Sequence, residues 1–270
     1  MRSPEKKPSV VSEPDVLDIL RDLALPDFIV ADVLDALPKR AFGVVLYGSV
    51  ARGDYSDNSD IDLLVISDAP HSTRAAGKTN VSTYDMSQFL TADGTLFGMH
   101  LARDGVVLHD GDSEITGQLV QFRDVDTARL WGRVRDLARL LTLPLSEQHA
   151  RLDGFIRHAR YVLRTATYAR ALEGGRPCFS VVELAERFND PQLQQLLSSH
   201  SQVQGPPTIE TLENLTTRIQ TLLGKIEPIH LASLTDVIVE HDDTDLGDSA
   251  VLLLGSRDGS PYTVIPRVIL

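Results

Sequence analysis

Residues 46–65 read LYGSVARGDYSDNSDIDLLV. Two apolar, strand-like runs flank a segment of glycine, serine and acid that closes on Asp60-Ile61-Asp62, immediately before Leu63-Leu64-Val65. Like charges this close repel, and moving them towards a core adds a desolvation cost. A cation at that point relieves both. Side chains alternate along a strand, so Asp60 and Asp62 are expected on one face and Ile61 and Leu63 on the other. Two carboxylates about 7 Å apart on one face form half of a divalent-metal site. With no His or Cys in the motif, oxygen ligation suits Mg2+ or Mn2+. Twelve residues before Asp60, Gly48-Ser49 opens a short helix directly after a strand. Backbone N–H groups there favour an anion, Gly48 allows close approach to the backbone, and Ser49 supplies a hydroxyl. A phosphate cradle beside metal-binding carboxylates implies a nucleoside triphosphate.

Outward from this stretch, residues 1–13 are rich in Pro, Ser and Lys and read as a disordered tail. Apolar residues at helical spacing mark one helix from Val16 to Leu23, with Asp15 as its cap, and another after Pro26. Residues 41–47 and 60–66 read as strands, 68–78 as a loop, and 81–89 as a third strand. A helix over 97–102 and a short edge strand over 106–108 follow. Residues 14–115 thus predict an α/β (α+β) catalytic domain built on a mixed sheet. Residues 120–230 read as an all-α helical bundle, with Ser180 and Glu183 set as a capping box. Residues 231–270 form an extension in which 251–254 and 262–269 flank a turn and predict a β-hairpin.

The pattern Gly-Ser, ten residues, Asp-x-Asp resembles the DNA polymerase β-like nucleotidyltransferase superfamily. GSVARGDYSDNSDIDLLV is most similar to its minimal, antitoxin-type branch, and the resemblance spans roughly residues 28–110. It implies transfer of a nucleoside monophosphate, AMP foremost, from a Mg2+-bound triphosphate to a hydroxyl, with release of pyrophosphate. It further implies a two-metal site with a third carboxylate on a neighbouring strand. Asp85, within Val81–Met86, is the expected third ligand and helps deprotonate the acceptor, and Asp68 is the alternative. Arg52 is expected either to neutralise phosphate or to lock the motif helix, and Ser59 either joins the nucleotide side or caps the turn. The acceptors the family offers are protein or RNA hydroxyls, in a toxin–antitoxin or defence setting, and cationic aminoglycosides. A nucleotide-binding regulator without catalysis is the further alternative.

The helical half loosely resembles the bundles that accompany such domains. Some of those are RNases with Arg and His spaced as Arg151 and His158 are here. Arg157, Arg160, Arg164 and Arg170 lie along one helix that is expected either to bind triphosphate or RNA or to be a solvated face. The formal net charge of −12 argues against DNA-specific binding and suits a cationic or neutral acceptor. The single cysteine, Cys178, leaves no internal disulfide, no apolar run approaches a membrane span, and the first residues lack a signal-peptide core. These features predict a cytoplasmic protein.

Overall fold

The structure, a computed structural model, describes residues 7–57, 59–68, 72–111, 114–122, 124–197 and 207–255. The chain divides into two compact units that meet in sequence at Val125 and Asp126. In the first unit, β1 (Ser9–Val10) pairs antiparallel with β2 (Arg40–Ala41), so this part of the expected tail is ordered. Helix α1 (Glu13–Asp22) takes Ser12 at its N-cap position and Asp15 within its first turn, and α2 (Asp27–Ala36) follows Pro26.

Strand β3 (Gly43–Tyr47) runs directly into α3 (Gly48–Arg52), and β4 (Ile61–Ile66) returns beside it. The expected loop over 68–78 instead contains β5 (Ser72–Ala76), joined to β6 (Thr79–Tyr84) by the Gly77-Lys78 turn. Gly77, at φ 61°, supplies the left-handed backbone such a tight turn requires. β5 escapes sequence reading because Ser72-Thr-Arg-Ala-Ala76 is a half-exposed edge strand without apolar alternation. The unit continues with α4 (Met86–Leu90), α5 (Leu96–Asp104), β7 (Val106–Asp110) and α6 (Glu114–Leu119).

The sheet order is β5-β6-β4-β3-β7, parallel only between β4 and β6, which makes the mixed sheet the sequence predicts. Val44, Leu46, Ile61, Leu63 and Val65 face α1 and α2, whose Val16, Leu20, Ile29 and Val33 complete that core. Val45, Leu64 and Ile66 face the other way, towards Phe89, Leu101, Ile115 and Leu119. Burial on both faces explains why β4 is a continuous apolar run after Asp62.

The second unit is helical: α7 (Thr127–Ala138), a 3-10 turn at Arg139–Thr142, α8 (Leu145–Ala150), α9 (Leu152–Glu173), α10 (Val181–Arg187), α11 (Pro191–Leu197), α12 (Ile209–Leu223), α13 (Leu234–Glu240) and α14 (Asp245–Gly255). Ser180 caps α10, its Oγ accepting from the Glu183 amide at 3.3 Å. Val251–Leu254, expected as one arm of a hairpin, lies inside α14, and the other arm, 262–269, is outside the described residues. The correction has a plain cause: Leu246, Ala250 and Leu253 are buried at helical spacing, whereas a short apolar run alone does not separate strand from helix. No helix among the described residues is long and apolar enough to cross a membrane.

Candidate active site

The β3–α3 junction and the start of β4 are one structural feature. Tyr47 pairs with Asp62 in the antiparallel register. Gly48, the next residue, has φ 80°, a backbone conformation that disfavours any side chain. A Cβ at Gly48 would lie 2.6 Å from Asp62 Oδ2. The bare glycine therefore serves two purposes: it makes the turn into α3, and it admits the Asp62 carboxylate against the main chain beside Ser49. Asp60 lies just ahead of β4 and is exposed, while Asp62 is half-buried. The backbone between them is held by the Ile61 amide, which donates to the Lys78 carbonyl at 2.9 Å.

Tyr47 closes the inner side of the site. Its ring packs edge-on against Phe97 and His100, with centroid distances of 5.6 and 5.9 Å. Ser82 on β6, two residues past the register partner of Asp62, lies on the same face of the sheet. Burial first, and then the Asp62 charge, push the Tyr47 hydroxyl well above its usual pKa, so it stays protonated. Sequence reading missed this packing because Phe97 and His100 lie some fifty residues from Tyr47 in the chain. It also missed Lys78, whose Nζ donates to the Asp57 carbonyl at 2.6 Å and fastens the loop preceding Asp60.

Arg52 locks the motif helix. Its Nε donates to Asp54 at 3.1 Å, and its Nη1 lies 3.0 Å from His100 Nε2 and 3.5 Å from Asp104. The Asp104 side chain is only 7% exposed, so Arg52 neutralises a carboxylate inside the unit. Burial, reinforced by Arg52 and Arg103, lowers the His100 pKa to about 3, so its neutral ring accepts from Arg52. Ser59 is a turn cap: its Oγ accepts from the Ser56 amide at 2.9 Å.

The structure does not bring Asp85 to Asp60 and Asp62. β6 ends at Tyr84, and Asp85 is the N-cap of α4. Its Oδ1 accepts from the Gln88 amide at 2.8 Å while the Asp85 amide donates to Gln88 Oε1 at 3.0 Å. This is a capping box, and the signal for it, an acid three residues before Gln and ahead of a buried Phe89, was available in the sequence. Asp62 is paired with Asn80, five residues before Asp85, which puts Asp85 about 16 Å farther along the strand. The facing is wrong as well: Asn80, Ser82 and Tyr84 share the Asp62 side of the sheet. Asp68 follows β4 at that same far end. Among the described residues no group of three His, Cys, Asp or Glu is placed to hold a metal ion. Asp60 and Asp62 suit one hard cation, since Mg2+ is held by one or two carboxylates and fills its shell with water and substrate phosphate.

In the helical unit, Arg151 and His158 are not a reactive pair. His158 is 3% exposed and its ring N–H donates to the Leu137 carbonyl, with Nε2 at 2.9 Å. Arg151 is engaged with the Leu254 carbonyl and Glu147. The α9 arginines are likewise committed within the unit. Arg157 pairs with Asp153, Arg170 with Glu173, and Arg160 and Arg164 donate to the Leu196 and Leu197 carbonyls of α11. Burial lowers the His158 pKa to about 4. The unfolded chain therefore takes up a proton near pH 6.5 that the folded one refuses until about pH 4. Stability should be full above pH 6.5 and fall below it, by roughly 2 to 3 kcal/mol at pH 4.5. His158→Gln, which keeps a donor for Leu137, should flatten the thermal midpoint between pH 7 and 4.5, and an unchanged pH profile would disprove this assignment.

Residues 30–99 match the family model of a nucleotidyltransferase domain. The first unit carries a nucleotidyltransferase domain of the DNA polymerase β-like superfamily. The matched segment includes the junction at Gly48-Ser49, both Asp60 and Asp62, and Asn80. Among solved structures, a nucleotidyltransferase-like protein from Exiguobacterium sibiricum 255-15 is similar at 15% identity, covering 88% of this chain and 78% of that one, with a TM-score of 0.28. Comparison with curated proteins gave no match. The nucleotidyltransferase domain carries general nucleotidyl transfer as its chemistry.

Proposed function

We propose that the chain transfers AMP from ATP to a hydroxyl of a macromolecular acceptor, with Asp60 and Asp62 holding Mg2+ and Gly48-Ser49 receiving the triphosphate. The observation that carries the reading is the seating of Asp62 against Gly48, 2.6 Å from where a Cβ would be. Metal-binding oxygen and phosphate-facing backbone thereby belong to one site. The bound cation would polarise the phosphate oxygens and offset their charge. The acceptor oxygen bonds to the α-phosphorus as the bond from that phosphorus to pyrophosphate breaks, and the hydroxyl proton passes to water. Gly48-Ser49 orients the nucleotide, and Tyr47 with Phe97 and His100 keeps solvent from the inner side of Asp62.

A protein hydroxyl is favoured over RNA because the arginines of α9 are spent on partners within their own unit. An antitoxin-type role, with a partner protein as acceptor, fits this preference. The net charge of −12 supports a second reading, a cationic aminoglycoside acceptor. The test supplies each triphosphate, labelled at the α-phosphate, with Mg2+ and fractions of a cell lysate. Label entering protein from ATP is expected, label in a small-molecule fraction selects the aminoglycoside reading, and no incorporation from any triphosphate rejects both.

Ser49→Ala should weaken triphosphate use while leaving metal binding intact. Losing one hydrogen bond to a charged phosphate costs about 1.5 to 3 kcal/mol. That corresponds to roughly ten- to hundredfold in kcat/KM for the nucleotide. Unchanged kinetics would remove Ser49 from the cradle.

A further inference from the structure

We infer that this site holds a single divalent ion, because Asn80 stands on β6 at the position from which a third carboxylate would have to reach Asp62. The inference rests on the functional reading above and narrows it. In the parallel register Asp62 lies beside Asn80 and Leu64 beside Ser82. Adjacent strands are about 4.8 Å apart, so position 80 is the point on β6 from which a side chain on this face most readily meets the Asp62 carboxylate. Ser82, the next residue of β6 on this face, carries a neutral hydroxyl and no charge. One strand farther out, Ala75 lies beside Asn80 and Thr73 beside Ser82, and β5 contains no acid. On the opposite flank Tyr47 occupies the position paired with Asp62. The strand carboxylate at the other end of the sheet, Asp110, accepts from the Ile115 and Thr116 amides at the start of α6. Asp85 is consumed in its capping box.

The consequence is one of charge. Asp60 and Asp62 balance one Mg2+, and the triphosphate supplies further oxygens to that ion. A second ion would meet a neutral amide at Asn80, whose oxygen can ligate but offsets no charge. The clamp in which two cations stabilise attacking and leaving oxygens is then incomplete. As the acceptor oxygen bonds to the α-phosphorus and pyrophosphate departs, the hydroxyl proton goes to water and not to a fixed carboxylate. Transfer by this chain is accordingly slow, and Asn80 is the residue that sets the limit.

The test titrates the full chain with Mn2+ in the presence of a saturating ATP analogue carrying a methylene group between the α- and β-phosphates. Spin resonance of free Mn2+ counts the bound ions. One nucleotide-dependent ion per wild-type chain is expected, and two for Asn80→Asp. With ATP itself, Asn80→Asp should raise the transfer rate at least tenfold while the analogue's Kd stays within threefold. Two ions in the wild-type chain would overturn the inference and leave the functional reading standing. No nucleotide-dependent ion, or one that Asp62→Asn fails to remove, would overturn the functional reading itself. The wild-type count decides the matter even where Asn80→Asp does not fold, and a folded Asn80→Asp with the wild-type count and rate also refutes the role of Asn80.

Discussion

Asp62→Asn should abolish nucleotidyl transfer while leaving the unit folded. The substitution preserves shape beside Gly48, where a Cβ would lie only 2.6 Å from Asp62 Oδ2, so the packing against the main chain is kept. What it removes is the negative charge that, in the proposed reading, would offset a cation at the reacting phosphate. Charge placed directly at a reacting group in a partly dry site is a large term. A loss of roughly a thousandfold or more, about 4 kcal/mol of barrier, is expected in kcat/KM. Nucleotide-dependent Mn2+ binding should disappear with it. Turnover within tenfold of the parent, measured by release of pyrophosphate, would remove Asp62 from the site.

Gly48→Ala should be nearly as damaging, for a different reason. At φ 80° an alanine is strained by about 1 to 2 kcal/mol. Its Cβ would also press on Asp62 Oδ2, and the short aspartate can yield only by rotating away. A displacement of about 1 Å at a reacting centre costs on the order of a hundredfold. Transfer should therefore fall at least a hundredfold while the thermal midpoint drops by only a few degrees. A large loss of stability with normal activity in the folded fraction would mean that Gly48 serves the turn alone. Reading the two variants together separates charge from placement, since Asp62→Asn removes the first and Gly48→Ala the second.

The motif from Gly48 to Asp62 was legible because its residue types are dictated locally: a strand, a glycine turn, a helix start, a second strand. Helices α7, α9, α10, α11 and α12 of the second unit were legible for the same reason, through repeating apolar spacing, whereas α8, α13 and α14 were not. The position of Asp85 was not. Tyr84-Asp85-Met86 alternates like a strand, and only the bond between Asp85 and Gln88 reveals that the chain has already entered a helix. Which residue of β6 stands beside Asp62 depends on the register between β4 and β6, and nothing in either strand alone specifies it. Arg52 was readable as either a phosphate ligand or a lock, and its partners His100 and Asp104 lie some fifty residues away in sequence. The hairpin expected at 251–254 failed where a short apolar run fits strand and helix equally well.

The most direct measurement follows the fate of the α- and γ-phosphates of ATP when the chain acts on its acceptor. Two parallel reactions, one with ATP labelled at the α-phosphate and one at the γ-phosphate, are run with the wild-type chain, with Asp62→Asn and with the metal chelated. The site described here predicts that α-label enters the acceptor, that γ-label leaves as pyrophosphate, and that both events stop in Asp62→Asn and on chelation. Transfer of γ-label to the acceptor, or α-label incorporation that survives Asp62→Asn, would contradict it.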